Sequence, residues 1–145
     1  MKILVISDTH GQTGKVLNLL CDIPDITNII HLGDCVRDAE KIEEVFPDKI
    51  YHKAKGNNDY LSFERDFLIL NLCGYNIFAA HGHLLGVKKS PDVLAYRAKS
   101  FGCNIALFGH THIFEDKTIN GVRCLNPSNK GYFIITDNYI HFDKF

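Results

Sequence analysis

The sequence has no long run of one charge, no closely spaced cysteine pair and no apolar stretch long enough to cross a bilayer. Each absence excludes a class. Lys and Arg number 16 against 17 Asp and Glu, a formal net charge of −1. Without a basic run there is no electrostatic footprint for general nucleic-acid or anionic-membrane binding. The five cysteines, Cys21, Cys35, Cys73, Cys103 and Cys124, are scattered without a C-x-x-C pair. Most lie within or beside apolar runs and read as reduced, small hydrophobic side chains of a cytoplasmic protein. The opening run at 1–6 is too short for a membrane span, and a cleaved signal would remove Asp8 and His10 with it. No repeat, linker or low-complexity segment is visible. With 145 residues, 46% hydrophobic and 23% charged, the chain is expected to form one soluble domain over 1–145.

What is present is a recurring design. Apolar runs end five times in polar, metal-competent residues: Ser7-Asp8-Thr9-His10, Gly33-Asp34, Gly56-Asn57-Asn58-Asp59, His81-Gly82-His83 and Gly109-His110-Thr111-His112. In open α/β sheets, ligands bind at the carboxyl ends of strands. Residues i and i+2 of an extended segment point the same way, so Asp8 and His10 are expected to face one ion. Taken singly each cluster is weak; Asn-Asn-Asp after Gly, for instance, is also what a tight turn looks like. His31 lies inside an apolar run and reads as a core histidine, or as one that supports a ligand.

The elements between the clusters follow from periodicity. Consecutive β-branched and apolar residues predict buried strands at 2–7, 26–32 and 104–108, and a shorter, more polar strand is expected at 49–54. Thr13 is placed as the cap of a helix with Val16, Leu17, Leu19, Leu20 and Ile23 on one stripe, stopped by Pro24. Ala39, Ile42, Val45 and Phe46 mark a second helix, whose Arg37, Glu40, Lys41, Glu43 and Glu44 form the solvated face. Ser90 caps a third, with Pro91 as first helical residue and Leu94, Ala98 and Phe101 inward, ended by Gly102. The 67–72 and 76–80 runs read as a hairpin around 73–75, and the tail from 113 as strands with an Asn120-Gly121 turn. Strand and helix alternate first; a strand meander with one helix follows. The expected fold is α/β: a four-layer αββα sandwich of two stacked mixed sheets flanked by helices.

If the strand order brings the clusters together, Asp8, His10, Asp34, Asn57, His81, His110 and His112 meet on one rim. Oxygen and imidazole donors without thiolate suit borderline divalent ions, Mn²⁺ foremost, with Ni²⁺, Zn²⁺, Fe²⁺ or Co²⁺ as alternatives. Two such ions bring about +4 and the two aspartates return about −2, so the pocket keeps a surplus near +2, or about +1 with a hydroxide present. A phosphate ester is the natural anion for it. Paired ions roughly 3.5–4 Å apart clamp both oxygens of an in-line displacement.

In order and together, these motifs, with Asp38 downstream of Gly33-Asp34, resemble the metallophosphoesterase (calcineurin-like) superfamily, specifically its small single-domain phosphodiesterases. The resemblance spans nearly the whole chain. It implies that one metal takes Asp8, His10, Asp34 and His112 and the second takes Asp34, Asn57, His81 and His110. It also implies the αββα sandwich and a water or hydroxide between the metals as nucleophile. Asp34, Asn57, Asn58 and His83 are the residues expected to act on a small phosphoester. One position departs from larger relatives, which carry a His after the motif Asn. Asn58 is a poor acid there, and loss of a general acid costs ~10²–10⁴-fold when the leaving group needs a proton. His83 is the candidate substitute, as acid or phosphate ligand. The alternative class is a protein-interaction scaffold, as in the retromer subunit of the same fold with an altered metal site; a homo-oligomer is left open. A nuclease ranks third for want of a basic groove.

Overall fold

The computed structural model describes residues 1–145. The chain runs β1 (Lys2–Ile6), α1 (Thr13–Asp22), β2 (Asn28–His31), α2 (Val36–Val45), β3 (Ile50–Lys53), β4 (Phe67–Leu72), β5 (Tyr75–Ala80), α3 (Asp92–Ser100), β6 (Ile105–Leu107), β7 (Glu115–Ile119), β8 (Val122–Asn126), β9 (Gly131–Thr136) and β10 (Ile140–Lys144). These build two five-stranded mixed sheets, ordered β10-β9-β1-β2-β3 and β4-β5-β6-β8-β7. No helix is long and apolar enough to cross a membrane.

Side-chain alternation explains the layers. Along β1, Ile3 and Val5 enter the cluster between the sheets, while Leu4 and Ile6 pack under α1 and α2 with Val16, Leu20 and Ile42. Along β5, Ile77 and Ala79 face the other sheet, and Phe78 and Ala80 face Leu94 and Ala98 of α3. Both faces of the central strands are therefore buried, which is why their sequences are apolar at consecutive positions. The expected αββα sandwich of two mixed sheets is what forms.

Local details differ at helix ends and edges. Thr13 is the first helical residue and makes no capping bond; Gln12 precedes it, its N–H bonded to the Thr9 carbonyl at 2.9 Å. A tight turn, not a side-chain cap, starts α1. Pro91 sits at the cap position of α3, so the helix starts one residue later than expected, and the Pro91 carbonyl accepts from Ala95 N–H. Gly102, at φ +72°, ends α3: its N–H bonds to Lys99 and that of Cys103 to Ala98, the paired closure that a left-handed residue allows. Val45 is 57% exposed and is not an inward residue, whereas Phe101, though 46% exposed, sets its ring against Phe67 and Phe78 at 5.5 and 6.1 Å. Val45 lies at a helix end, where the apolar stripe has left the sheet behind.

Strand direction sets the rim. β1 pairs parallel with β2, and β2 with β3. In the other sheet β5 pairs parallel with β6. Parallel neighbours end at the same edge, so the five clusters leave the sandwich on one side.

Candidate metal centre

The first sheet delivers Asp8, His10 and Asp34 on strained backbone. Asp8, His10, Asp34 and Cys35 have φ of 54°, 44°, 57° and 64°, and His110 and His112 from the second sheet have 69° and 59°. Left-handed backbone costs non-glycine residues on the order of 1 kcal/mol each and concentrates where function requires it. This corrects the expectation for Asp8 and His10. They face one place because both are left-handed, not because they alternate along an extended strand.

Close backbone approach holds the loops in place. Gly33, at φ +97°, lies so near Gly56 that an added Cβ would stand 2.7 Å from the Gly56 nitrogen. A Cβ on Gly56 would land on Asp34. Asp59, buried, accepts from the backbone N–H of Asp34 (2.9 Å), Gly56 (2.8 Å) and Val36 (3.0 Å). Asn58 donates its backbone N–H to Asp34 Oδ1 (3.0 Å) and its side-chain amide to Asp34 Oδ2 (2.9 Å). Both oxygens of Asp34 are thus held by one residue. Asn58 is a clamp on a carboxylate.

A second network lies beneath. Gly33 N–H donates to His31 Nδ1 (3.2 Å), so His31 carries its proton on Nε2 and donates to Thr9 Oγ1 (3.0 Å). Thr9 donates to Asp38 (2.7 Å), which also accepts from Gly11 N–H (2.7 Å). His31 is fully buried, and burial lowers its pKa to about 4. It supports the loops, as expected, and ties β1, β2 and α2 together.

From the second sheet, His81 Nδ1 donates to the Leu32 carbonyl at 2.8 Å, which leaves the lone pair of the neutral ring on Nε2. That atom faces Asn57 Oδ1 at 3.0 Å, His110 Nδ1 at 3.2 Å, Asp34 Oδ1 at 3.5 Å and Asp8 Oδ1 at 3.9 Å. His112 Nε2 lies 3.1 Å from Asp8 Oδ1. His110 also donates its backbone N–H to Asp8 Oδ2 (3.1 Å). Two groups place their donor atoms within 4.8 Å of one another: Asp8, His10 and His112, and Asp8, Asp34 and His81. All seven expected ligands are brought to one rim. The carboxylate common to both groups is Asp8, whereas Asp34 falls in the second alone.

His83 opens a turn of 3-10 helix, His83–Leu85, with its ring 5.4 Å from that of His81 and 6.1 Å from that of His110. Its Nδ1 is buried without a hydrogen-bond partner. Burial first, and His81 second, lower the pKa of His83 and of His110. Cys35 Sγ approaches His10 Nδ1 at 3.6 Å. Buried Asn126 donates to the Gly109 carbonyl (3.1 Å) and Thr111 Oγ1 (2.9 Å), bracing the loop that carries His110 and His112.

Residues 1–132 match the model of the calcineurin-like phosphoesterase superfamily domain. The chain belongs to that superfamily. It is 30% identical over 131 residues to the probable metallophosphoesterase YsnB of Bacillus subtilis, covering 89% of this chain and 75% of that protein. An archaeal phosphodiesterase superposes at a TM-score of 0.74 with 21% identity, covering 100% of both chains. The Vps29 protein of Entamoeba histolytica, solved with Zn²⁺, superposes at 0.78 with 19% identity, covering 100% of this chain and 98% of that one. Membership makes this calcineurin-like chain a metal-dependent phosphoesterase, a hydrolase of phosphate esters, and implies divalent ions as cofactors.

Asp59, Thr9 and Asn126 are the site residues that sequence reasoning passed over. Asp59 did carry a signal: three residues after Gly56, it is where a turn-closing carboxylate falls. Asn126, the last residue of β8 before a proline, carried none.

Proposed function

We propose that the chain is a phosphodiesterase that works with two divalent ions, Mn²⁺ foremost. The observation that carries this reading is the convergence on His81 Nε2. Carboxylate and amide oxygens of Asp8, Asp34 and Asn57, together with the His110 Nδ1 atom, face it within 3.9 Å. Oxygen and imidazole ligand atoms gathered on one lone pair are the set that suits a divalent cation. As the family resemblance implies, Asp8, His10, Asp34 and His112 would hold one ion, and Asp34, Asn57, His81 and His110 the other, with Asp8 also close to the second group. Bound ions would supply charge against the phosphoryl oxygens and lower the pKa of water.

The chain's own residues do the rest. Asn58 and Asp59 fix the Asp34 carboxylate and backbone, so that the donor set is formed before substrate arrives. The Leu32 carbonyl fixes the tautomer of His81. His83, beside His81 and His110, supplies a proton to the departing ester oxygen or a hydrogen bond to the phosphoryl group. Asn58 cannot replace it, since its amide is committed to Asp34. Activated aryl diesters therefore react well and alkyl monoesters poorly. The free state of all five cysteines accords with a cytoplasmic protein.

The test is a panel of bis(4-nitrophenyl) phosphate, 4-nitrophenyl phosphate and glycerol phosphate. It is run on chelator-stripped protein with Mn²⁺, Ni²⁺, Mg²⁺ or Zn²⁺ restored, alongside calorimetric titration of the metal. Diester turnover only with metal, and two ions per chain, are expected. No turnover with any ion, or equal rates on glycerol phosphate and the aryl diester, would overturn it.

A second reading, a protein-docking role, is favoured by Tyr60, Leu61 and Phe63, which are 80%, 93% and 105% exposed beside the centre. Retention of a protein partner by metal-free protein would support it.

A further inference from the structure

A groove opens from the centre at His10 and Asn58 and runs between the first turns of α2 and the 60–62 stretch. Its two walls differ. On α2, Arg37 and Lys41 stand four residues apart and share one helix face. Arg37 forms no ion pair, and Lys41 reaches only within 4.0 Å of Asp38, with its own side chain 63% exposed. The opposite wall is apolar, formed by Tyr60 and Leu61. Three carboxylates border the groove. Asp59 is buried and holds three backbone amides, and buried Asp38 gives Oδ2 to Thr9 and Gly11 while its Oδ1 faces Lys41 at 4.0 Å. That leaves Glu40 exposed, against two cations.

A single exposed Tyr or Leu is ordinary. Here an aromatic and an aliphatic face stand opposite a cation pair, in a groove that shares His10 and Asn58 with the centre. We propose that this groove seats one ester group of the substrate, and that this group is a flat aromatic carrying a further negative charge. The ring lies on Tyr60 and Leu61, as planar rings stack on aromatic side chains. The added anion meets Arg37, whose planar fork matches a phosphate or carboxylate, with Lys41 beside it. Arg37, Lys41 and Tyr60 are then specificity-determining residues. The assignment rests on the phosphodiesterase reading and names the class of ester that the same site takes.

The experiment uses the full chain loaded with Mg²⁺ and two probes. Both are dithymidine joined by a hydrolysis-resistant phosphorothioate, one with a 5′-phosphate and one without. Nuclear magnetic resonance titration is expected to give roughly tenfold tighter binding for the phosphorylated probe. Amide shifts are expected at Arg37, Lys41 and Tyr60. In the double variant Arg37→Ala, Lys41→Ala the preference falls to about twofold or less, whereas Tyr60→Ala weakens both probes alike. Lys117→Ala, on β7, keeps the tenfold ratio. Equal affinity for the two probes in the unaltered protein, or shifts confined to residues outside the groove, would overturn the assignment. So would competition for the groove by an unrelated acidic peptide as strong as that of the phosphorylated probe. Turnover of bis(4-nitrophenyl) phosphate is measured on the same samples. Its absence with every metal sinks the phosphodiesterase reading separately, since the affinity ratio reads the groove without turnover.

Discussion

The two sheets bring unlike halves to one rim. The first contributes both carboxylates, His10 and Asn57, on loops locked by backbone bonds: Asp59 alone accepts three amides, and Asn58 takes both oxygens of Asp34. The second contributes imidazoles, with few bonds beyond those of His81 to Leu32 and Asn126 to the 109–111 loop. The contrast has a physical basis. Aspartates packed near one another repel, so their loops must be over-determined by donors. Neutral rings repel little, and a few bonds suffice to aim them.

If so, first-sheet substitutions should damage both metal binding and stability, and second-sheet ones metal binding alone. The largest effect is expected for Asp34→Asn. Its loss of metal affinity should exceed the roughly 10–100-fold typical of an outer partner, by calorimetry, because a donor oxygen is replaced. His83→Gln comes next. It should lower kcat on an alkyl diester by about 10²-fold and on an aryl diester only a few-fold, with KM little changed. An equal loss on both substrates would remove the proton-donor role.

Asp59→Ala should cost about 2–4 kcal/mol in urea unfolding of metal-free protein, since three backbone donors lose their partner. His112→Ala should stay within about 0.5 kcal/mol of the parent while binding metal more weakly. Equal destabilisation by the two would break the comparison.

The effect seen only on acidification concerns His31. Unfolded, it takes a proton near pH 6.5; folded, its pKa is about 4, because burial opposes the charge and Gly33 already donates to Nδ1. The unfolded chain therefore binds more protons between those values. Stability is full above pH 6.5, falls as the pH drops toward 4 by an amount on the order of 3 kcal/mol at most, and then levels. Metal-free His31→Gln, melted at pH 7 and 4.5, should lose most of that slope. A slope as steep as the parent's would assign it to other groups.

Much of this protein was written in local patterns. Runs of apolar residues at consecutive positions marked strands buried on both faces, and the same runs ended in every residue now found on the rim. His31 read correctly as a supporting histidine because an imidazole inside an apolar run has no exit to solvent. Donor type was also local: five clusters of oxygen and imidazole, without thiolate, bounded the chemistry. What local pattern could not carry was direction. The left-handed turns of Asp8, His10 and His112 fall on residues that, unlike glycine, do not advertise positive φ. Asn58 looked like a missing acid until the fold folded its amide back onto Asp34. Sequence alone determined which side chains stand at the strand ends. Only the tertiary structure decided which of them meet, and that Arg37 and Lys41 face Tyr60 across a groove, because strand order and loop handedness are set by contacts between segments far apart in the chain.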